Sequence, residues 1–266
     1  MRRVPSRRQV KSILRLAGVR PSRGRGQHFL VDPRGPLLFI KGLSMLGADE
    51  ALEVGAGLGS ITLEASRRLR RVVAVEVDWR LASYLASRAP PNVAVVVGDG
   101  VEMARSWAGR VVYSNTPFSL TGEIVEAVAR NNRVAGAVLG VQREVAERMK
   151  ARPGEDGYGR LSVLVSLIFR ARSLGVIPPS WYYPRPEVWT SVLVLERTSR
   201  WNTLVEAALK LAGCMFTMRR RRAEKVAAEC FRRLGCRGAP PRMGGGVRVW
   251  SLEPRVFVEL AGLCGG

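Results

Sequence analysis

Five short runs of apolar, largely β-branched residues constrain this chain more than any other feature. They are Ala51–Val54, Val72–Val77, Val93–Val97, Val111–Tyr113 and Val134–Val141. Helical patterns at Ser60–Leu69, Arg80–Ala86 and Leu120–Ala129 separate most of them. A strand that is apolar at every position has to bury both faces. Alternation with helices supplies the cover, which predicts a mostly parallel sheet with helices on each side. Two later runs, around Leu174–Ile177 and Ser191–Leu195, flank the Pro-rich stretch Pro178–Pro186. They would close the sheet as a late antiparallel hairpin, giving seven strands.

The flanking segments divide the chain further. A helix is predicted at Gly35–Leu46 and another at Gln142–Lys150, broken by Arg152-Pro153-Gly154 before a third begins near Arg160. From Trp201 the character changes to helices at Asn202–Cys214, Ala223–Leu234 and Pro254–Leu263, with a Gly/Pro segment at Gly238–Gly246. A boundary near Arg197 therefore separates a domain over 26–197 from a small helical domain over 198–266. Residues 1–25 read as a basic, mobile arm with one short amphipathic segment, Val10–Leu16.

Charge narrows the partners. The 266 residues carry 43 Lys and Arg against 22 Asp and Glu, a formal net charge of +21. Such an excess attracts polyanions. Only five of the cations are Lys, and Arg forks onto phosphate and stacks on bases, so RNA is the expected partner. Arg2, Arg3, Arg7 and Arg8 would add to its binding. Cys214, Cys230, Cys236 and Cys264 form no C-x-x-C pair and lie far from the one histidine, His28. Reduced thiols are expected, with neither a metal site nor a disulfide framework. No apolar run of membrane or signal length follows the basic N-terminus, so no membrane partner and a cytoplasmic location are expected.

The first run ends in Glu53-Val54-Gly55-Ala56-Gly57-Leu58-Gly59. Glycines two apart let the backbone turn sharply and approach a ligand, and N–H groups opening the next helix would face it. The dinucleotide fingerprint needs its third glycine at the sixth position, where Ser60 stands. With Gly59 one residue early and Glu53 before the loop, the arrangement resembles motif I of class I methyltransferases. Glu76 ends the second run, where a carboxylate can accept from both ribose hydroxyls. Asp99, in Gly98-Asp99-Gly100, is placed to accept from the amino group of an adenine. The fourth run ends in Ser114-Asn115-Thr116-Pro117-Phe118. There the Asn115 side-chain carbonyl and the Thr116 main-chain carbonyl could accept both hydrogens of an exocyclic adenine amine and aim its lone pair. Pro117 fixes the turn, and Phe118 offers a stacking face for a flipped base.

These motifs, with Gly26-Gln27-His28-Phe29-Leu30, Gln142–Arg148, Tyr158–Ser162 and Pro178-Pro179-Ser180-Trp181-Tyr182, resemble the KsgA-type small-subunit ribosomal RNA adenine-N6 dimethyltransferases, and an archaeal member in particular. The resemblance implies a class I methyltransferase Rossmann-like sheet plus a helical domain. It also implies S-adenosyl-L-methionine as cofactor, held by His28, Leu30, Gly55, Gly57, Glu76, Asp99 and Asn115. Catalysis would fall to Asn115, Thr116, Pro117 and Phe118, with Tyr182 sandwiching the base against Phe118. Arg219, Arg220, Arg221 and Arg222 would contact RNA. The substrate implied is two adjacent adenosines near the 3′ end of small-subunit rRNA in a pre-ribosomal particle, methylated by a monomer. Phe118 replaces the family's usual Tyr and is shared with Erm-type enzymes, so a large-subunit rRNA adenine is the alternative target. A non-catalytic ribosome-assembly protein is the alternative class.

Overall fold

The structure is a computed structural model, and it describes residues 4–21, 26–244 and 246–264. Its strands are β1 (Phe29–Leu30), β2 (Glu50–Val54), β3 (Arg71–Glu76), β4 (Val93–Val97), β5 (Val111–Asn115), β6 (Gly136–Gln142), β7 (Phe169–Ile177), β8 (Tyr182–Tyr183) and β9 (Thr190–Arg197). The helices are α1 (Arg7–Leu16), α2 (Arg34–Met45), α3 (Thr62–Ala65), α4 (Trp79–Ala86), α5 (Gly100–Ser106), α6 (Thr121–Arg130), α7 (Arg143–Lys150), α8 (Arg160–Ile168), α9 (Thr203–Phe216), α10 (Ala223–Leu234) and α11 (Pro254–Cys264). They form two compact units. The first takes in Met1–Ala146 and Arg172–Arg197, and the second Glu147–Ala171 and Thr198–Gly266. The end of α7, the loop after it and α8 thus cluster with the C-terminal helices, unlike the expected 26–197 division.

The first unit is built on a seven-stranded sheet in the order β4-β3-β2-β5-β6-β9-β7. Strands β2 to β6 pair in parallel, and β9 runs antiparallel to β6. The central strands are buried along nearly their whole length, as their unbroken apolar runs predict. Tyr113, Val138 and Val192 share a core with Phe39 and Leu43 from α2. Each such side chain contributes roughly 1.5–3 kcal/mol by leaving water. Gly42 lets α2 lie close to the sheet, since a Cβ there would meet Val138 at 2.7 Å.

Four readings change. Strand β4 is an edge strand, so its apolar run is only half covered and Val97 is 57% exposed. Only Thr62–Ala65 of the expected Ser60–Leu69 helix is regular. Beyond it the N–H groups of Arg68 and Leu69 both close on the Ala65 carbonyl. Helix α5 and the two-stranded ribbon β1–β8 are too short to show a period in sequence.

The N-terminal segment is the fourth change. Ser6 and Gln9 form a capping box for α1, and Val10 and Leu14 are buried against Val19, Phe29, Leu58 and Leu81. From residue 4 to residue 21 it is part of the first unit rather than a loose arm; Arg2 and Arg3 lie outside the described residues.

In the second unit an aromatic cluster joins three segments. The ring of Phe216 lies 5.4 Å from Tyr158 edge-on and 5.5 Å from Phe257 in a stack. The four cysteines are paired as Cys214–Cys230 and Cys236–Cys264, which overturns the expectation of free thiols. Spacing along the chain did not reveal the pairs because helix packing makes them. Disulfides are also found inside the cells of hyperthermophiles, so they do not set the compartment. No group of His, Cys, Asp or Glu among the described residues could hold a metal ion.

The bridges close separations of 16 and 28 residues, for which loop-closure entropy gives about 3 and about 3.5 kcal/mol. Reduction is expected to lower the melting temperature of the second unit and leave that of the first in place. Calorimetry with and without reductant, alongside thiol titration, checks this; an unchanged thermogram once four thiols titrate would contradict it.

Candidate active site

Chain order dictates where a ligand can sit. From β2 the chain builds outward to β3 and β4, then returns to the other flank for β5 and β6, so the strand order reverses between β2 and β5. At such a reversal the connections diverge and leave a crevice beyond the carboxyl ends of the strands. Val54, Glu76, Val97 and Asn115 are the last residues of the four strands meeting there. A cavity of about 290 Å³ opens at this edge.

The loop leaving β2 is stitched to β3, with the N–H groups of Gly55 and Ala56 both donating to the Val75 carbonyl. Gly57 and Gly59 hold φ of 55° and 79°, in the left-handed region that favours glycine. A Cβ on Gly59 would also lie 2.3 Å from Leu85. The helix that follows, whose N–H groups were expected to face a ligand, is a turn of only four residues. Glu76 instead organises the loop. Its Oε2 accepts from Gly57 N–H at 2.8 Å and its Oε1 from Asp78 N–H at 3.0 Å. Burial raises its carboxyl pKa against the pull of those donors. Asp99 caps α5, its Oδ1 accepting from the N–H groups of Val101 and Glu102. Oδ2 carries no hydrogen bond among the described residues.

Glu53 was noted in the sequence only as an acid before the loop. Its side chain is wholly buried, and Oε2 accepts from both the Thr62 hydroxyl and the Tyr113 hydroxyl. Desolvation pushes its pKa up to about 8, outweighing the two hydrogen bonds, with the Glu76 charge adding to the rise. No signal of periodicity or spacing pointed to this group of three.

Opposite motifs meet at Asn115. Its Nδ2 donates to the His28 carbonyl at 3.4 Å, and its Oδ1 accepts from the Tyr182 hydroxyl at 3.0 Å. His28 Nδ1 bonds the Pro184 carbonyl at 2.8 Å. Gly26 comes so close to the turn after β5 that a Cβ would lie 3.0 Å from Pro117 Cα. Leu30 turns its side chain into the core and accepts from the Ser60 hydroxyl through its carbonyl.

His28, Leu30, Gly55, Gly57, Glu76, Asp99, Asn115 and Pro117 all line the cavity, whereas Thr116, Phe118 and Tyr182 do not. Thr116 is buried, its N–H donating to Gly140. Phe118 is half-exposed, its ring 5.8 Å from that of His28. Tyr182 corrects its expected role. At 1% exposure it belongs to the core with Leu30 and Phe39, because the ribbon β1–β8 turns it inward. It has no open face for a base and instead steadies Asn115.

In the second unit, Arg219–Arg222 form a turn before α10, not a helix face. Val249 and Trp250 donate to the carbonyls of Arg221 and Arg219, and Arg222 pairs with Arg248. Arg219 is folded over Trp250 and donates to the Glu155 carbonyl, so it serves the fold. Arg220, Arg221 and Arg222 remain exposed.

Sheet order, glycine loop and strand-end acids define a class I methyltransferase fold. A family model described as ribosomal RNA adenine dimethylase matches residues 22–212. The chain belongs to that family. It is 54% identical, over 97% of its length and 94% of the relative's, to a probable ribosomal RNA small subunit methyltransferase A of Aeropyrum pernix. Identity is 30% over 95% of the chain and 94% of the protein of the same description from Methanothermobacter thermautotrophicus. Among solved structures, a dimethyladenosine transferase from Plasmodium falciparum superposes with TM-score 0.73 at 20% identity, covering 88% of this chain and 98% of its own. The 23S rRNA methyltransferase ErmE gives 0.63 at 22%, covering 89% and 99%. At such identities the last two speak for the fold alone.

Since the folded pKa of Glu53 lies above its usual 4.5, the stability it lends is present below that pH and is lost as pH rises to about 8. Glu53→Gln keeps one oxygen for both hydroxyls and does not titrate. Its unfolding free energy should gain on the parent's from pH 5 to 8 and then run parallel. Urea titrations across that range measure the difference; a constant offset would refute it.

Proposed function

We propose that the chain transfers methyl groups from S-adenosyl-L-methionine to N6 of two adjacent adenosines near the 3′ end of small-subunit rRNA. Family membership supports the reaction, and the relatives' descriptions support the subunit. The observation that carries the reading is Asn115 at the end of β5, lining the same cavity as Glu76 and Asp99.

The cavity's donor set suits the cofactor. The Glu76 carboxylate has more acceptor sites than the two backbone N–H groups use, leaving capacity for ribose hydroxyls. Asp99 Oδ2 is available to an adenine amino group. Bound here, the cofactor supplies an electrophilic methyl group on a sulfonium. The protein's own work is orientation. An adenine amine is a poor nucleophile because its lone pair is delocalised into the ring. Asn115 Oδ1 has a second lone pair beyond the one bonded to Tyr182, and with the Thr116 carbonyl it accepts the amine hydrogens. Tyr182 is a positioning residue. Phe118 at the rim stacks on the flipped base. Held this way, the amine needs no dedicated general base, and the gain comes from alignment and from stabilising developing charge.

The rRNA reaches the site as part of a pre-ribosomal particle, and the protein acts as a cytoplasmic monomer. No helix among the described residues is long and apolar enough to cross a membrane. Arg220–Arg222 contact RNA phosphate. Replacing all three with Gln should weaken RNA binding and lower its salt slope by about 2, at ~0.7–0.9 per lost contact.

Methylation of purified small subunits with labelled cofactor, followed by base mapping, tests the assignment; label confined to large-subunit rRNA would overturn it. Asn115→Ala should retain RNA binding but lose turnover by about 10² or more, and Tyr182→Phe by a smaller factor. Unchanged turnover in Asn115→Ala would remove the orienting role.

A further inference from the structure

Helix α1 carries a charge pattern that folding does not explain. The described segment from Val4 to Pro21 holds Arg7, Arg8, Lys11, Arg15 and Arg20 and no carboxylate. Two of the cations, Arg7 and Arg8, stand in the first turn, where the positive end of the helix dipole repels them. Several helix cations elsewhere do have an acidic partner a turn away, as Arg105 has Glu102, Arg130 has Glu126, Lys210 has Glu206 and Arg233 has Glu229. Arg8, Arg15 and Arg20 are exposed and have no partner among the described residues.

The helix is nonetheless firmly seated. Val10 and Leu14 are buried against Phe29 and Leu58, two residues that also line the active-site cavity. Arg7 donates to the Ser180 carbonyl at 3.1 Å, Lys11 lies over the Tyr183 ring at 5.4 Å, and Arg80 donates to the Gly18 carbonyl at 2.9 Å. These contacts tie α1 to β8 and, through Leu58, to the glycine loop, and they tie the turn after α1 to α4. Arg8 and Arg15 then share the outward face, two turns and ~10.5 Å apart. A rigid, unneutralised row of guanidinium groups beside a cavity suits a phosphate backbone better than it suits free solvent.

We propose that α1 is an RNA-docking surface that grips rRNA phosphates beside the catalytic cavity. The proposal rests on the rRNA-methylating reading and adds to it a second anchoring point, separate from Arg220–Arg222.

The full-length triple variant Arg8→Gln, Arg15→Gln, Arg20→Gln tests it, since none of the three touches the cavity and Gln keeps helix propensity. Unmethylated small subunits are the substrate, and filter binding across a salt series measures affinity. KM for the subunit should rise about tenfold and the salt slope fall by about 2. The kcat at saturating subunit, cofactor affinity and melting temperature should stay at parental values, and the Arg→Lys triple should recover most of the binding. A variant with parental KM and salt slope would overturn the proposal. So would one that loses binding to phosphatidylglycerol vesicles while its rRNA affinity is unchanged. If the parent chain leaves the subunits unmethylated, the functional reading fails, and the filter-binding comparison decides the role of α1 alone.

Discussion

The parallel pairing of β2 with β3 on one side and β5 on the other underlies the cavity at the strand ends. Register sets Val54 beside Val75 and Glu53 beside Tyr113, so the glycine loop, Glu76 and Asn115 emerge at one edge. Neither the glycine loop nor the turn at Asn115 has to find the other, because the sheet's hydrogen bonds already place them. The buried hydroxyls of Thr62 and Tyr113 on Glu53 then pin the base of the loop to β5. Removing either would leave a buried acceptor short of a donor, at a cost of about 1–3 kcal/mol.

A second layer adjusts this frame. The segment from Gly26 to Leu30 is brought over the sheet edge by the ribbon it forms with Tyr182 and Tyr183. Through that ribbon His28 and Tyr182 reach Asn115 from two distant parts of the sequence. Asn115 is held at both ends of its amide, so the orientation of one side chain depends on three segments. This is preorganisation by packing, which holds the amide in one orientation.

Much of this was legible in the sequence. Continuous apolar runs gave the sheet because burial on both faces leaves no other pattern, and Gly55, Gly57, Glu76, Asp99 and Asn115 could be placed from their positions at run ends. What stayed hidden was long-range or too short to repeat. The roles of Glu53 and Tyr182 depend on partners 60 and 67 residues away. Strand β1 has two residues, and α1 looked like a tail because its capping box and two buried side chains matter only once a surface receives them. The disulfides belong to the same class of feature, since pairing follows from helix placement.

Those two bridges turn the end of the chain into two closed rings in series, 214–230 and 236–264, joined by a short connector. The Gly/Pro segment from Gly238 to Gly244 lies within the second ring. A backbone cut there would open a ring without shortening the molecule, because both ends stay covalently attached. The most cleavable-looking stretch of the sequence is therefore one where a protease could cut without releasing anything.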